Sequence, residues 1–120
     1  SDEEALLLTG ADTLEDAAQQ LLEKTKAVFA ITLGKEGTLL GRDGKTKIIG
    51  SIAVNPVDTT GAGDAFVGAV LYQLTQKAGQ ELSQEAWNQI IVNANIAGAR
   101  TCEYLGAMEA FSHLSNDIFK

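Results

Sequence analysis

Apolar residues along this chain follow two rhythms, one helical and one extended, and their order predicts helices alternating with strands. Residues 1–8 read as a short helix with Ser1 or Asp2 near its cap and Gly10 at its end. Leu14, Ala17, Ala18, Leu21 and Leu22 recur at i, i+3, i+4, i+7 and i+8, which predicts a helix over 13–24. Residues 27–33 form a β-branched and aromatic run without polar alternation, the pattern of a strand buried on both faces. Gly34-Lys35-Glu36-Gly37 supplies a turn, after which 38–40 pairs back as a second strand. Residues 41–44 make a hairpin loop, and a third strand covers 46–49.

Further on, 51–54 is extended and Pro56 fixes the entry to a loop at Asp58. Phe66, Ala69, Val70 and Leu74 form the buried stripe of a helix over 62–76, and Gly79 breaks the chain. Ser83 caps a long helix to about residue 104, with Trp87, Ile90, Ile91, Ala94, Gly98, Thr101 and Leu105 on one face. That spacing makes Trp87 a core anchor rather than a ligand platform. Gly106 ends the helix, and 115–120 forms a final turn. No internal repeat or low-complexity segment interrupts the pattern. Strands mixed with helices predict an α/β fold, a sheet layered by helices.

Composition narrows the class. A chain of 120 residues, 45% hydrophobic and 21% charged, suits one small domain with a core. The formal charge of −7 argues against nucleic acid or an acidic membrane as partner, since both need a basic face. Any nucleotide site must then depend on local N–H groups and a divalent cation. The single Cys102 excludes an internal disulfide and a cysteine zinc cluster, which fits a cytoplasmic, reducing setting. His113 has no second histidine to form a ligand pair, and no apolar run approaches membrane-spanning length.

The chemistry concentrates in Asp58-Thr59-Thr60-Gly61-Ala62-Gly63-Asp64. Two glycines stand where an extended segment enters a helix, and a carboxylate follows at once. Glycine allows close approach of backbone to a ligand. The first helical N–H groups lack intrahelical partners and favour an anion. The same residues also suit a tightly packed helix start in which Asp64 offsets the dipole. A P-loop is excluded because no lysine follows Gly63 before Lys77. A dinucleotide fingerprint is disfavoured because Phe66 occupies the third glycine's place, which weakens an oxidoreductase reading.

With Ala65-Phe66 added, DTTGAGDAF closely resembles the signature of the PfkB (ribokinase-like) carbohydrate kinases, especially fructokinases. The resemblance implies the C-terminal part of a ribokinase-like, Rossmann-like three-layer α/β/α fold. It also implies ATP-dependent phosphorylation of a sugar hydroxyl, most simply fructose to fructose 6-phosphate, with Mg2+. Asp64 would be the base, while the N–H groups of Gly61, Ala62, Gly63 and Asp64 hold the developing γ-phosphoryl charge. Ser1-x-x-Glu4 before Leu8-Thr9-Gly10 is similar to the family's Asn-x-x-Glu element, with Glu4 organising Mg2+ through its water shell. Thr32, Leu33, Gly34 and Gly37 match a Thr-Leu-Gly-x-x-Gly segment bordering the nucleotide, although a plain structural turn fits them too. Ala94, Asn95 and Gly98 match the helix that walls the adenine pocket, and Asn95 suits either adenine or a helix-helix contact. Many members also bind a monovalent cation such as K+. Asp58 and Thr60 would match one half of that site, and carbonyls near Thr101, Tyr104 and Gly106 the other. Asp58 equally suits a loop brace.

The resemblance covers nearly the whole chain but only the C-terminal half of the family pattern. Most sugar contacts and the β-lid of complete members precede the Asn-x-x-Glu element. Beginning at Ser1 without methionine, the chain is expected to be a fragment or domain of a longer kinase, partnered by the N-terminal half or by a second copy. Alone it is expected to bind nucleotide weakly and not to phosphorylate sugar. Ribokinase or another sugar or nucleoside kinase is the nearest alternative, and a non-catalytic nucleotide-binding fragment is the alternative of a different class.

Overall fold

Ser1 starts the first helix with a capping box. Its hydroxyl accepts from the Glu4 N–H, and the Glu4 carboxylate reaches back to the Ser1 amino group. Helix α1 (Asp2–Thr9) ends where Gly10 turns left-handed, and α2 (Leu14–Lys24) begins under a Thr13 cap. The computed structural model describes residues 1–54 and 58–103, which fall into two units, one from Ser1 to Ile49 and one that begins at Gly50.

In the first unit, β1 (Phe29–Thr32), β2 (Thr38–Arg42) and β3 (Lys45–Ile49) form an antiparallel sheet in the order β1-β2-β3. Ala5, Ala17, Ala18, Ile31 and Leu39 make its buried core, flanked by Leu14, Leu21, Phe29 and Leu33. The apolar stripe of α2 thus packs as its period requires. Two expectations change. The strand buried on both faces is β2, not the 27–33 run; Thr38, Leu39, Leu40 and Gly41 are all buried, whereas Ala30 on β1 is exposed. Position explains this, because β2 is central among the described strands and β1 lies at their edge. The hairpin loop is also shorter than 41–44. Arg42 pairs with Lys45 across the two residues Asp43 and Gly44, at φ 52 and 74, the left-handed pair of a tight hairpin. Gly41 therefore belongs to β2, and the ring of Phe29, its cross-strand partner, lies over it.

In the second unit, α3 (Ala62–Gln76) and α4 (Gln84–Thr101) pack side by side. Ser83 caps α4 through the Ala86 N–H, as expected. Ala65, Phe66 and Ala69 of α3 and Ile90, Ile91, Ala94 and Ala97 of α4 are buried. Trp87 is half-buried on α4, in keeping with a packing role. Gln73 is buried as well, on the stripe read as purely apolar. Its amide donates to the carbonyls of Ala69 (3.0 Å) and Ile90 (3.1 Å). Its oxygen accepts from Asn93 Nδ2 at 2.7 Å, and Asn93 Oδ1 accepts from Gln89. Among the described residues, no helix is long and apolar enough to cross a membrane. Leu105, Gly106 and 115–120 lie outside the described residues.

Candidate active site

The loop before α3 is built from its own polar groups. Asp58 Oδ1 accepts the Thr60 N–H at 2.8 Å, so the brace expected of this aspartate is present. The Asp58 N–H donates to the Cys102 carbonyl at 3.1 Å, tying the loop to the end of α4. Gly61 then takes a left-handed conformation, φ 82, where a Cβ would be strained. Its carbonyl receives the Ala65 N–H at 2.9 Å, and α3 is under way.

No side chain caps this helix start. Among the described residues, the N–H groups of Gly61, Gly63 and Asp64 have no acceptor, and the Asp64 side chain is exposed. Beyond its chain neighbours and its own helix backbone, a Cβ at Gly63 would meet nothing within 4 Å, so packing among the described residues does not call for that glycine. The outcome is an open, positively polarised helix end with a carboxylate in its first turn. One amide leaves the expected set, because the Ala62 N–H donates to the Thr59 carbonyl at 3.2 Å and closes the turn.

Residues assigned to the nucleotide divide in their fates. Ala94 is fully buried, so it cannot touch a ligand directly; it packs inside its unit. Gly98 faces protein as well: a Cβ there would sit 3.2 Å from the Ala62 carbonyl oxygen. Asn95 is buried, and its Nδ2 donates to the Gly50 carbonyl at 3.2 Å, while its own carbonyl accepts from Ser51. In the first unit, the Leu33 side chain packs against the core. Its N–H donates to Gly37 O (2.8 Å), and its carbonyl accepts the Glu36 N–H (3.3 Å). Leu33 thus serves the turn and offers little to a ligand. Gly34 and Gly37 adopt φ 63 and 105 in that turn, and Thr32 pairs with Thr38 at its base.

Of the cation candidates, Asp58 and the end of α4 are neighbours; Thr101, whose carbonyl is the expected ligand, is fully buried, with its hydroxyl bonded to Ala97 O at 2.9 Å. Thr60 is exposed, and Tyr104 and Gly106 lie outside the described residues. Cys102 stands where Asp58 docks. Burial raises its thiol pKa, and the nearby Asp58 charge raises it further. Glu4 is exposed, and its carboxylate accepts from the Ser1 nitrogen at 2.8 Å in the capping box. Among the described residues, no cluster of three His, Cys, Asp or Glu side chains could hold a metal unaided. Sequence reasoning missed the Gln73–Asn93 bridge, whose signal was a glutamine one helical turn after Ala69 on the apolar stripe.

An α/β chain that presents an uncapped, glycine-opened helix start beside an exposed carboxylate has the makings of a phosphoryl-transfer protein. The chain belongs to the pfkB family of carbohydrate kinases, whose model matches residues 1–113. Fructokinase-1 of Oryza sativa subsp. japonica is 37% identical over 109 residues, 90% of this chain and 34% of that protein. A fructokinase double mutant from Vibrio cholerae O395, solved with fructose, ADP and potassium ion, superposes with TM-score 0.80 at 32% identity. The match covers 95% of this chain and 39% of that one. The aminoimidazole riboside kinase of Salmonella enterica, solved with aminoimidazole riboside and an ATP analog, gives 0.79 at 35% identity, covering 91% and 36%. The chain therefore spans about a third of the length of the curated relatives it matches.

Proposed function

We propose that this chain is the phosphate-binding, base-bearing part of an ATP-dependent sugar kinase that acts in the cytoplasm, with fructose as the favoured acceptor. The observation that carries this reading is the first turn of α3, where the amides of Gly61, Gly63 and Asp64 have no acceptor among the described residues and the Asp64 carboxylate beside them is exposed. These amides would hold the oxygens of the transferred phosphoryl group, where charge develops. Asp64 would take the proton of the attacking sugar hydroxyl. A carboxylate in line with the hydroxyl can serve, because in a loose transition state the hydroxyl loses its proton late. Mg2+ bound with ATP would supply charge neutralisation at the phosphates, and Glu4 would steady its water shell. A monovalent cation beside Asp58 and Thr60 would brace the loop from below, a role suggested by the potassium ion in the related fructokinase. Thr32, Gly34 and Gly37 remain the resemblance's candidates for the nucleotide.

Fructose rests on the fructokinases among the relatives. A riboside is the second reading, favoured by the match to the aminoimidazole riboside kinase at comparable identity. The decisive material is a chimera in which this chain replaces the matched segment of the Vibrio cholerae fructokinase. It should phosphorylate fructose with ATP, and an acceptor screen separates fructose from ribosides. Asp64→Asn should abolish turnover while ATP still binds. A variant that keeps most of its turnover would remove Asp64 from the role of base. The 120-residue chain alone should show no sugar phosphorylation, and measurable turnover by it would overturn that part of the proposal.

A further inference from the structure

One turn of α4 supports both ends of the loop that precedes the open amides. At the near end, the Cys102 carbonyl accepts the Asp58 N–H at 3.1 Å. At the far end, Gly98 lies against Ala62. A Cβ on Gly98 would fall 3.2 Å from the Ala62 oxygen, 3.9 Å from its carbonyl carbon and 4.0 Å from the Phe66 Cβ. The turn is closed on itself, since the Cys102 N–H and thiol both donate to the Gly98 carbonyl at 3.4 Å. Segment 58–62 is thus seated at its two ends on residues 98–102.

The identity of the atom above Gly98 gives this contact a consequence. The Ala62 carbonyl and the Gly63 N–H belong to one peptide unit, which is planar and trans, so they point in opposite directions. Because the Ala62 oxygen rests over Gly98, that contact sets the tilt of the shared peptide plane and with it the direction of the Gly63 N–H. A methyl at residue 98 would push the oxygen by a few tenths of an ångström, and that displacement turns the plane by about 10°. Sites that hold reacting groups tolerate roughly 10–20° of such error.

We propose that Gly98 is a positioning residue for the anion cradle, which aims the Gly63 amide through the Ala62 carbonyl, and not an adenine contact. The inference rests on the reading that the 61–64 amides receive phosphoryl oxygens, and its test separates the two. Residual dipolar couplings on the 15N-labelled 120-residue chain report the direction of the Gly63 N–H. Gly98→Val should tilt that vector by about 10° or more while the vectors of central α4 stay fixed, and Gly98→Ala should give a smaller tilt in the same sense. MgADP should perturb the Gly63 and Asp64 amides of the parent chain, with an apparent Kd about tenfold weaker in Gly98→Val, the effect of misaiming one charge-assisted hydrogen bond. A merely structural glycine would lower the unfolding midpoint and leave both the tilt and the Kd unchanged. An unmoved N–H in both variants, or a tilt with an unchanged Kd, would overturn the inference. If MgADP perturbs none of the parent's 61–64 amides, the phosphate reading falls, and the dipolar couplings still decide whether Gly98 aims Gly63. Should Gly98→Val not fold, Gly98→Ala carries the measurement.

Discussion

The buried bridge between α3 and α4 offers a sharp test of how this pair of helices is held. Gln73 and Asn93 are each about 5% exposed, and their side chains meet at 2.7 Å. Gln73→Met keeps the length of the side chain but removes its partners for Asn93 and Ile90. The Asn93 amide group is then left in the interior, and desolvating it without a partner costs about 1–3 kcal/mol. Asn93→Leu keeps the branched shape and strands the Gln73 oxygen instead, at a similar cost. Its other partner, Gln89, is exposed and can turn to water. When both are changed, no polar group remains stranded, and exchanging a hydrogen-bonded pair for apolar groups of like shape is close to neutral. The double variant should therefore lose less than the two single losses combined, by at least about 1 kcal/mol. Urea unfolding followed by Trp87 fluorescence measures this directly, because the only tryptophan lies on α4. Losses that add to within about 0.5 kcal/mol would mean that the bridge is not a coupled unit.

Two further predictions follow from close contacts. Cys102 should react with iodoacetamide along a pH profile whose midpoint lies above the ordinary thiol value. Asp58→Asn should move that midpoint down only part of the way, because burial is the larger cause and the aspartate the smaller. A thiol pKa raised by folding contributes stability below its unfolded value, and that contribution is lost as pH rises through the folded value. A profile unchanged by Asp58→Asn would remove the charge from the account. In the first unit, Gly41→Val places a Cβ 2.2 Å from the Phe29 Cζ, so the ring must leave its place over the strand. Overpacking of this kind costs about 1–3 kcal/mol. Phe29→Leu in the same chain should recover much of the loss, measured by circular dichroism during unfolding, and an equal loss with and without Phe29 would refute the clash.

Much of the fold was legible because helix signals are local. Ser1, Thr13 and Ser83 cap where their hydroxyls precede periodic apolar residues, and Gly10 ends α1 in the left-handed conformation its position calls for. Strand burial was less legible. The 27–33 run is more apolar than 38–42, yet β2 is the buried strand because it has a neighbour on each side. Pairing is a non-local fact, and composition within one strand does not carry it. Gly41 misled for a related reason. As punctuation it marks a loop, but here the missing side chain makes room for a ring on the strand beside it.

The candidate site divides along the same line. That a helix begins near Gly61 with open amides follows from glycine's conformational freedom and from the absence of a capping side chain, both readable from residue types. Which amides stay open does not follow, since the Ala62 N–H is taken by Thr59 and only the shape of the turn decides that. Gly98 makes the distinction plain. Proximity to a bound ligand and proximity to a neighbouring backbone both demand a residue without a Cβ, so the two roles leave the same letter in the sequence. Only the atom that fills the space tells them apart. At Gly98 that atom is a carbonyl oxygen of the cradle itself, whereas a Cβ on Gly63 would meet nothing within 4 Å beyond its chain neighbours and its own helix backbone. The first glycine therefore acts on the ligand through the backbone it supports, and the second acts by leaving its surroundings open.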